Sequence, residues 1–273
     1  MNTALSSFKP PEFLQLLANN LRWRLLTALA SSDLRGQELV QLLGQPQNLI
    51  SYHLKQLRDH QLVSEHRSAA DGRDIYYSLN LERMQQLYLA SGEALHPALS
   101  CAEPAPKTTF IPHSPFRVLF LCTHNSARSQ MAEALLRHLG GDRVEVFSAG
   151  NQPAQVHPDA IRAMAEVGID ISQQRSKSME EFLGQSFDYI ITVCDRVREV
   201  CPVFPNDPDC IHWSFPDPAA VDGPEEVRYR AFQKTAQQLT ARIRYFLPLI
   251  QPPTPQSANQ TREPDSRYGR QRG

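Results

Sequence analysis

The sequence predicts two domains, a mainly α N-terminal unit closed by a β-hairpin and a C-terminal α/β three-layer unit with a four-stranded parallel sheet. Three observations carry this. Residues 11–60 read as short amphipathic helices joined by turns, followed by two β-rich runs around Asp71-Gly72. After residue 116, apolar runs of strand length alternate with helical periods, the pattern of a doubly wound sheet. Between them, 97–115 carries prolines at 97, 104, 106, 112 and 115, lacks periodicity and reads as an extended, flexible linker. The 273 residues leave room for units of about 90 and about 135 residues, each able to bury a core. The expected boundaries are 1–96, the linker 97–115, 116–250 and a polar tail 251–273. That tail, with Arg262, Arg267, Arg270 and Arg272, is expected to be disordered.

In the N-terminal unit, 11–30 reads as a helix pair (Phe13, Leu16, Leu17, then Leu21, Leu25, Leu26, Leu29). Gly36 to Gly44 forms the next helix, a Gln-Pro turn follows, and Asn48 to Arg58 forms another, giving helix, short turn, helix. On that last helix Leu49, Ile50, Leu54 and Leu57 are spaced to face the core. Gln47, Ser51, Tyr52, Lys55 and Arg58 are left outward, where they can read bases or phosphates. Leu62 to Arg67 and Ile75 to Leu79 flank Asp71-Gly72, a strong hairpin signal, and place Arg67 and Arg73 near its tip. This is a winged helix-turn-helix, a DNA-binding module. Formal net charge is −1, and 1–96 holds nine basic and nine acidic residues, so any nucleic-acid footprint must be local.

In the C-terminal unit, strands are expected at 117–122, 144–148, 189–194 and 210–214. Helices are expected at 130–139, 159–167 and 225–246, with right-handed crossovers. The first strand ends in Cys122-Thr123-His124-Asn125-Ser126-Ala127-Arg128-Ser129. Backbone N–H groups of a strand-to-helix loop converge on one point, and the helix N-terminus adds positive charge there. The same field is expected to lower the Cys122 pKa to give a thiolate, while Arg128 forks two oxygens of a tetrahedral oxyanion. Ile211 to Pro218 ends a strand in Asp217-Pro218, a rigid carboxylate suited to protonating a leaving oxygen.

The Cys122 to Ser129 loop resembles that of the low-molecular-weight tyrosine phosphatase superfamily, over about residues 116–250. Phosphate ester hydrolysis needs one thiol, whereas reducing arsenate takes two electrons and hence a second thiol. Cys122, Cys194 and Cys201, in that order, look like the nucleophile and the two resolving cysteines of thioredoxin-coupled arsenate reductases. Six residues separate Cys194 from Cys201. If helical, they hold the Cα atoms roughly 10 Å apart, beyond the limit of about 7 Å for a disulfide. The segment is therefore expected wound when reduced and looped out when oxidised. Ala219 and Ala220 stand where phosphatases of the superfamily usually have aromatic residues, which favours an inorganic oxyanion. The resemblance also implies that Asn125 orients the loop, that Ser129 hydrogen-bonds the nucleophilic sulfur and that Ser148 to Gly150 forms a supporting turn. Some reductases hold potassium with counterparts of Asn125, Glu133 and Ser148; here Lys177 stands where an acidic ligand would align, so no metal is expected. His124 and Ala127 depart from the usual loop, leaving a single thiol in it.

Ile50 to Val63 resembles the ArsR-type repressors, over about residues 12–96, which implies operator DNA as a partner and a homodimer through the terminal helices, 11–19 and 81–95. The cysteine pair that many arsenic-sensing members carry is absent from Asp33 to Leu39, and no cysteine precedes Cys101. Cys210 is expected in the core. No bound cofactor is expected; thioredoxin or another dithiol is the expected external reductant, and an arsenate- or phosphate-like oxyanion the ligand. No apolar run approaches about 18 residues and no signal peptide opens the chain, so the expected location is cytoplasmic, away from membranes. Five cysteines fit that reducing compartment. The rival readings are a tyrosine phosphatase fused to a regulator, and a regulator whose enzyme fold only senses oxyanion or redox state.

Overall fold

The computed structural model describes residues 10–70, 72–96, 99, 115–205 and 208–250. Most of the linker, Cys101, Asp71 and the C-terminal tail lie outside them.

Helices α1 (Glu12–Leu17), α2 (Asn20–Ala28), α3 (Gly36–Leu43) and α4 (Gln47–Asp59) precede the hairpin β2 (Val63–Arg67) and β3 (Ile75–Leu79), and α5 (Leu81–Leu95) closes the domain. A two-residue strand, β1 (Leu34–Arg35), adds a third member to the antiparallel sheet, in the order β1-β3-β2. The core is Phe13, Leu16, Leu25, Leu26, Leu29, Leu39, Ile50, Leu54, Leu57 and their neighbours. One expectation for α4 fails: Leu49 is 37% exposed while His53 is buried. The buried set is 50, 53, 54 and 57, the i, i+3, i+4, i+7 stripe of a helix, and Leu49 lies one position off it.

In the second domain β4 (Phe116–Cys122), β5 (Val144–Gly150), β6 (Tyr189–Thr192) and β7 (Asp209–His212) form a parallel sheet ordered β5-β4-β6-β7. Helices α6 (Arg128–Gly140), α7 (Pro158–Glu166), α8 (Asp195–Glu199) and α9 (Glu225–Phe246) alternate with the strands. Strand β4 is central, and Val118, Leu119, Phe120 and Leu121 have no exposed surface, as a strand covered on both faces requires. Its carboxyl end carries the Cys122 loop, where open parallel sheets place ligands.

Two strands end earlier than the apolar pattern predicts. Strand β6 stops at Thr192 because Cys194 is the extended N-cap of α8. Strand β7 stops at His212 because the backbone beyond it pairs with the first domain: Asp33 N–H donates to the His212 carbonyl at 2.7 Å, and Ser214 N–H donates to Asp33 Oδ2 at 2.8 Å. Cys210, on edge strand β7, is exposed rather than in the core.

Candidate active site

The loop 123–127 is tied back through its carbonyls. Thr123 O accepts from Gln152 N–H, His124 O from Ala154 N–H and Ser126 O from His157 N–H, at 2.8–2.9 Å, while Asn125 O accepts from Gln130 Nε2 and Ser176 Oγ. With the carbonyls held outward, the intervening amides turn toward the centre, a nest for an anion; Asn125 N–H points at Cys122 Sγ, 3.1 Å away. Asn125 itself has φ 46°, a left-handed conformation that asparagine tolerates better than most residues. Its fully buried amide holds that shape: Nδ2 donates to Ser129 Oγ and Ser148 Oγ, and Oδ1 accepts from Gln130 Nε2 and Lys177 N–H. Thr123 and Ala127 are buried, and His124 and Ser126 half-buried.

Cys122 is buried, its Sγ 2.8 Å from Ser129 Oγ. Burial pushes its thiol pKa up and the neighbouring Cys194 adds to this, against the opposing pull of Arg128 and of hydrogen bonds with Ser129. The expected thiolate-favouring field is present, but desolvation outweighs it. Arg128, also buried, donates from Nη1 to the Phe215 carbonyl at 2.8 Å, and its Nη2 lies 3.1 Å from Asp217 Oδ2. Clamp and carboxylate therefore adjoin, with Asp217 one-third exposed at the rim and fixed by accepting from Ala219 N–H.

Behind the loop, Glu133 Oε2 accepts from Ser148 Oγ and from Lys177 Nζ at 3.1 Å, with Lys177 largely buried. An ammonium of the chain itself thus balances the buried carboxylate beneath the loop. Ser148 to Gly150 is the end of β5 rather than a turn; Gly150 lies so close that an added Cβ would stand 2.6 Å from Thr123 O and 2.8 Å from Asn125 N.

Cys194 is buried, its Sγ 3.4 Å from Thr123 Oγ1. Helix α8 separates it from Cys201, which is half-buried and whose pKa burial pushes up to about 12, with Cys210 contributing. Both thiols are free and the intervening segment is wound. Sequence reasoning missed Gln130, Ser176, Asp195, His212 and Ser214, buried or half-buried polar residues whose partners come from distant segments. Asp195, directly after Cys194, accepts from His212 Nε2 at 3.1 Å, from Ser214 Oγ and from Ala69 N–H at 2.8 Å. Burial opposes its charge, yet these donors hold its pKa down at about 2.

In the first domain, Gln47, Ser51, Tyr52 and Lys55 are exposed along α4, and Arg58 is half-buried in an ion pair with Glu65. Arg67 and Arg73 are exposed at the hairpin, where Arg67 Nη1 donates to the Gly72 carbonyl.

Residues 117–254 match the family described as low molecular weight phosphotyrosine protein phosphatase, and residues 19–65 match the bacterial regulatory protein arsR family. An arsenate reductase of Halalkalibacterium halodurans is 40% identical over 129 residues, 47% of this chain and 93% of the relative. One of Brevibacillus brevis is 43% identical over 129 residues, 47% of this chain and 92% of that protein. Among solved structures, a thioredoxin-dependent arsenate reductase of Corynebacterium glutamicum aligns over 83% of this chain and 96% of that chain, at 25% identity and a TM-score of 0.39. With a family match over half its length and arsenate reductases among its relatives, the chain belongs to the low molecular weight phosphotyrosine protein phosphatase family and carries an arsR-family regulatory domain ahead of it.

Proposed function

We propose that the chain is an arsenical-resistance fusion protein, an arsenate reductase joined to a DNA-binding transcriptional regulator. The observation that carries this is the set of three thiols: Cys122 in the anion nest beside Arg128, Cys194 against the same loop at Thr123, and Cys201 beyond one short helix. Arsenate is held by the loop amides and Arg128; Cys122 passes its thiol proton to an oxygen of the bound arsenate and attacks arsenic as the thiolate, while Asp217 protonates the departing oxygen, which leaves as water. Cys194 then attacks Cys122 Sγ; the S–S bond forms, the electron pair of the sulfur–arsenic bond passes to arsenic, and arsenite departs. Cys201 displaces Cys122 from that disulfide, and an external dithiol, proposed to be thioredoxin, returns both thiols. Hydrolysis of phosphate esters needs neither Cys194 nor Cys201.

Gln47, Ser51, Tyr52, Lys55, Arg67 and Arg73 are proposed to meet operator DNA, with Arg58 shared with Glu65. A groove of about 460 Å³ between α1 and α5, lined by Phe13, Leu16, Leu62 and Leu87 among others, together with Tyr88 and Leu95 exposed on α5, supports a homodimer through these helices. No helix among the described residues is long and apolar enough to cross a membrane; a cytoplasmic location is proposed from the reduced thiols.

The test is arsenate-dependent NADPH consumption with thioredoxin and thioredoxin reductase. Turnover in the wild type and its loss in Cys194→Ser is the expected result. No such turnover, with aryl phosphate hydrolysis that survives Cys194→Ser, would reassign the enzyme as a phosphatase.

A further inference from the structure

Helix α8, the segment between the two resolving cysteines, is also one of the two footholds of the DNA-binding domain on the enzyme, the other being residues 212–214 with Arg242. Asp195 accepts from Ala69 N–H at 2.8 Å, and Arg196 Nε donates to the Ala69 carbonyl at 3.3 Å. Arg198 Nη2 lies 2.8 Å from Glu38 Oε1, its guanidinium 5.2 Å from the centre of the Tyr76 ring. Of the first four residues of α8, Val197 packs in the enzyme's apolar core, Asp195 is buried against His212 and Ser214, and Arg196 and Arg198 reach toward the first domain.

The recipients are not arbitrary. Ala69 sits just beyond β2 in the hairpin tip that carries Arg67 and Arg73. Glu38 caps α3, the first helix of the helix-turn-helix, by accepting from Arg35 N–H at 2.8 Å, and Arg35 reaches Asp74 at the other side of the tip at 2.7 Å. Asp195 is further held by His212 and Ser214, and Ser214 also meets His66 of β2.

We propose that forming the Cys194–Cys201 disulfide releases the hairpin tip at Ala69 and the start of α3 at Glu38 from the enzyme and thereby weakens DNA binding, so that the redox state left by turnover is read by the regulatory domain. The proposal rests on the reading of Cys194 and Cys201 as a disulfide-forming pair. In the step concerned, Cys201 releases its proton to solvent and its thiolate attacks Cys194 Sγ in the Cys122–Cys194 disulfide; the new S–S bond forms and Cys122 leaves as thiolate. The two electrons already reside on arsenic, and an external dithiol later restores both thiols. The five residues of α8 and its flanks span seven positions from Cys194 to Cys201; at a helical rise of about 1.5 Å per residue that is roughly 10 Å, and a disulfide admits no more than about 7 Å between Cα atoms, so closing the bond requires α8 to unwind. Asp195, Arg196 and Arg198 cannot then keep Ala69 and Glu38 in place. With the wing docked, Arg67 and Arg73 are held on a fixed support, and releasing it adds an ordering cost to DNA binding. The coupling is reciprocal: a tenfold loss of DNA affinity on oxidation requires that bound DNA make the pair about 30 mV easier to reduce.

The experiment compares full-length protein, reduced and after arsenate turnover without reductant, with Cys201→Ser treated identically. Peptide mass mapping reads the disulfide, amide hydrogen exchange reads Ala69 and its neighbours, and fluorescence anisotropy reads affinity for a labelled duplex of the DNA upstream of the chain's own gene. Exchange at Ala69 at least tenfold faster and affinity at least tenfold weaker in the oxidised wild type, both unchanged in Cys201→Ser, is the expected result. A mapped Cys194–Cys201 disulfide with unaltered exchange, or with faster exchange and unaltered affinity, would overturn the coupling while leaving the relay intact. Absence of that disulfide would remove the relay reading itself, and the coupling with it.

Discussion

Gly150 is the residue on which the shape of the oxyanion loop most directly depends. A Cβ added there would stand 2.6–3.0 Å from the loop backbone at Thr123, Asn125 and Cys122, so Gly150→Ala should push Thr123 and Asn125 off their positions. A displacement of this kind costs about 100-fold in a positioned reaction; kcat for arsenate should fall by that order while far-UV circular dichroism is unchanged, and an unaffected kcat would mean that the loop tolerates the shift. The residues proposed to react stand out in the sequence because Cys122, Arg128 and Ser129 lie within eight consecutive positions and Asp217 is marked by its proline. What surrounds them does not. The upward pull on the Cys122 thiol comes from burial and from Cys194, which lies 72 positions away in sequence, and no local pattern reports either. Cys210 misled for the opposite reason: an apolar residue type on an edge strand looks the same in sequence as one in the centre.

At the scale of elements, one buried carboxylate, Asp195, ties the start of α8 to His212, Ser214 and Ala69. Asp195 has its pKa held from 3.8 down to about 2, so its charged form stabilises the folded chain at any pH above about 4, and that contribution is lost as pH falls through about 2. Urea midpoints measured between pH 5 and pH 2 should decline more steeply for wild type than for Asp195→Asn, and parallel declines would show that this carboxylate is not the responsible group. The strands and long helices were readable from periods of two and 3.6, and the parallel sheet from their alternation. The short elements were not. Strand β1 has two residues, and the early ends of β6 and β7 are imposed by α8 and by Asp33, contacts that a window along the chain never sees. The half-buried Arg58, expected outward, is drawn aside by Glu65 on the neighbouring strand.

For the molecule as a whole, the two domains share buried polar contacts. Asp33, buried, and Arg242, largely buried, pair at 2.8 Å, and Trp213 Nε1 donates to the Ser31 carbonyl at 3.3 Å. Removing one member of a buried pair costs about 3–5 kcal/mol, so Asp33→Ala should divide a single calorimetric transition into two; one transition in both proteins would assign the cooperativity elsewhere. Affinity for duplex DNA should fall with salt, and Lys55→Ala should lower the log–log slope by about 1; an unchanged slope would place Lys55 away from the phosphates. None of this docking was visible beforehand, because Ser31 to Asp33 and Ala69 carry the composition of ordinary turns. The pairing of Asp33 with Arg242 spans 209 positions, and that separation has a consequence in time. At about 5–20 residues per second of synthesis, roughly 10–40 s pass between the appearance of the first partner and the second. During that interval the nascent regulatory domain carries a carboxylate, Asp33, whose counter-ion has not yet been translated, which makes it the stretch of the chain's life in which a basic surface of another protein competes for it.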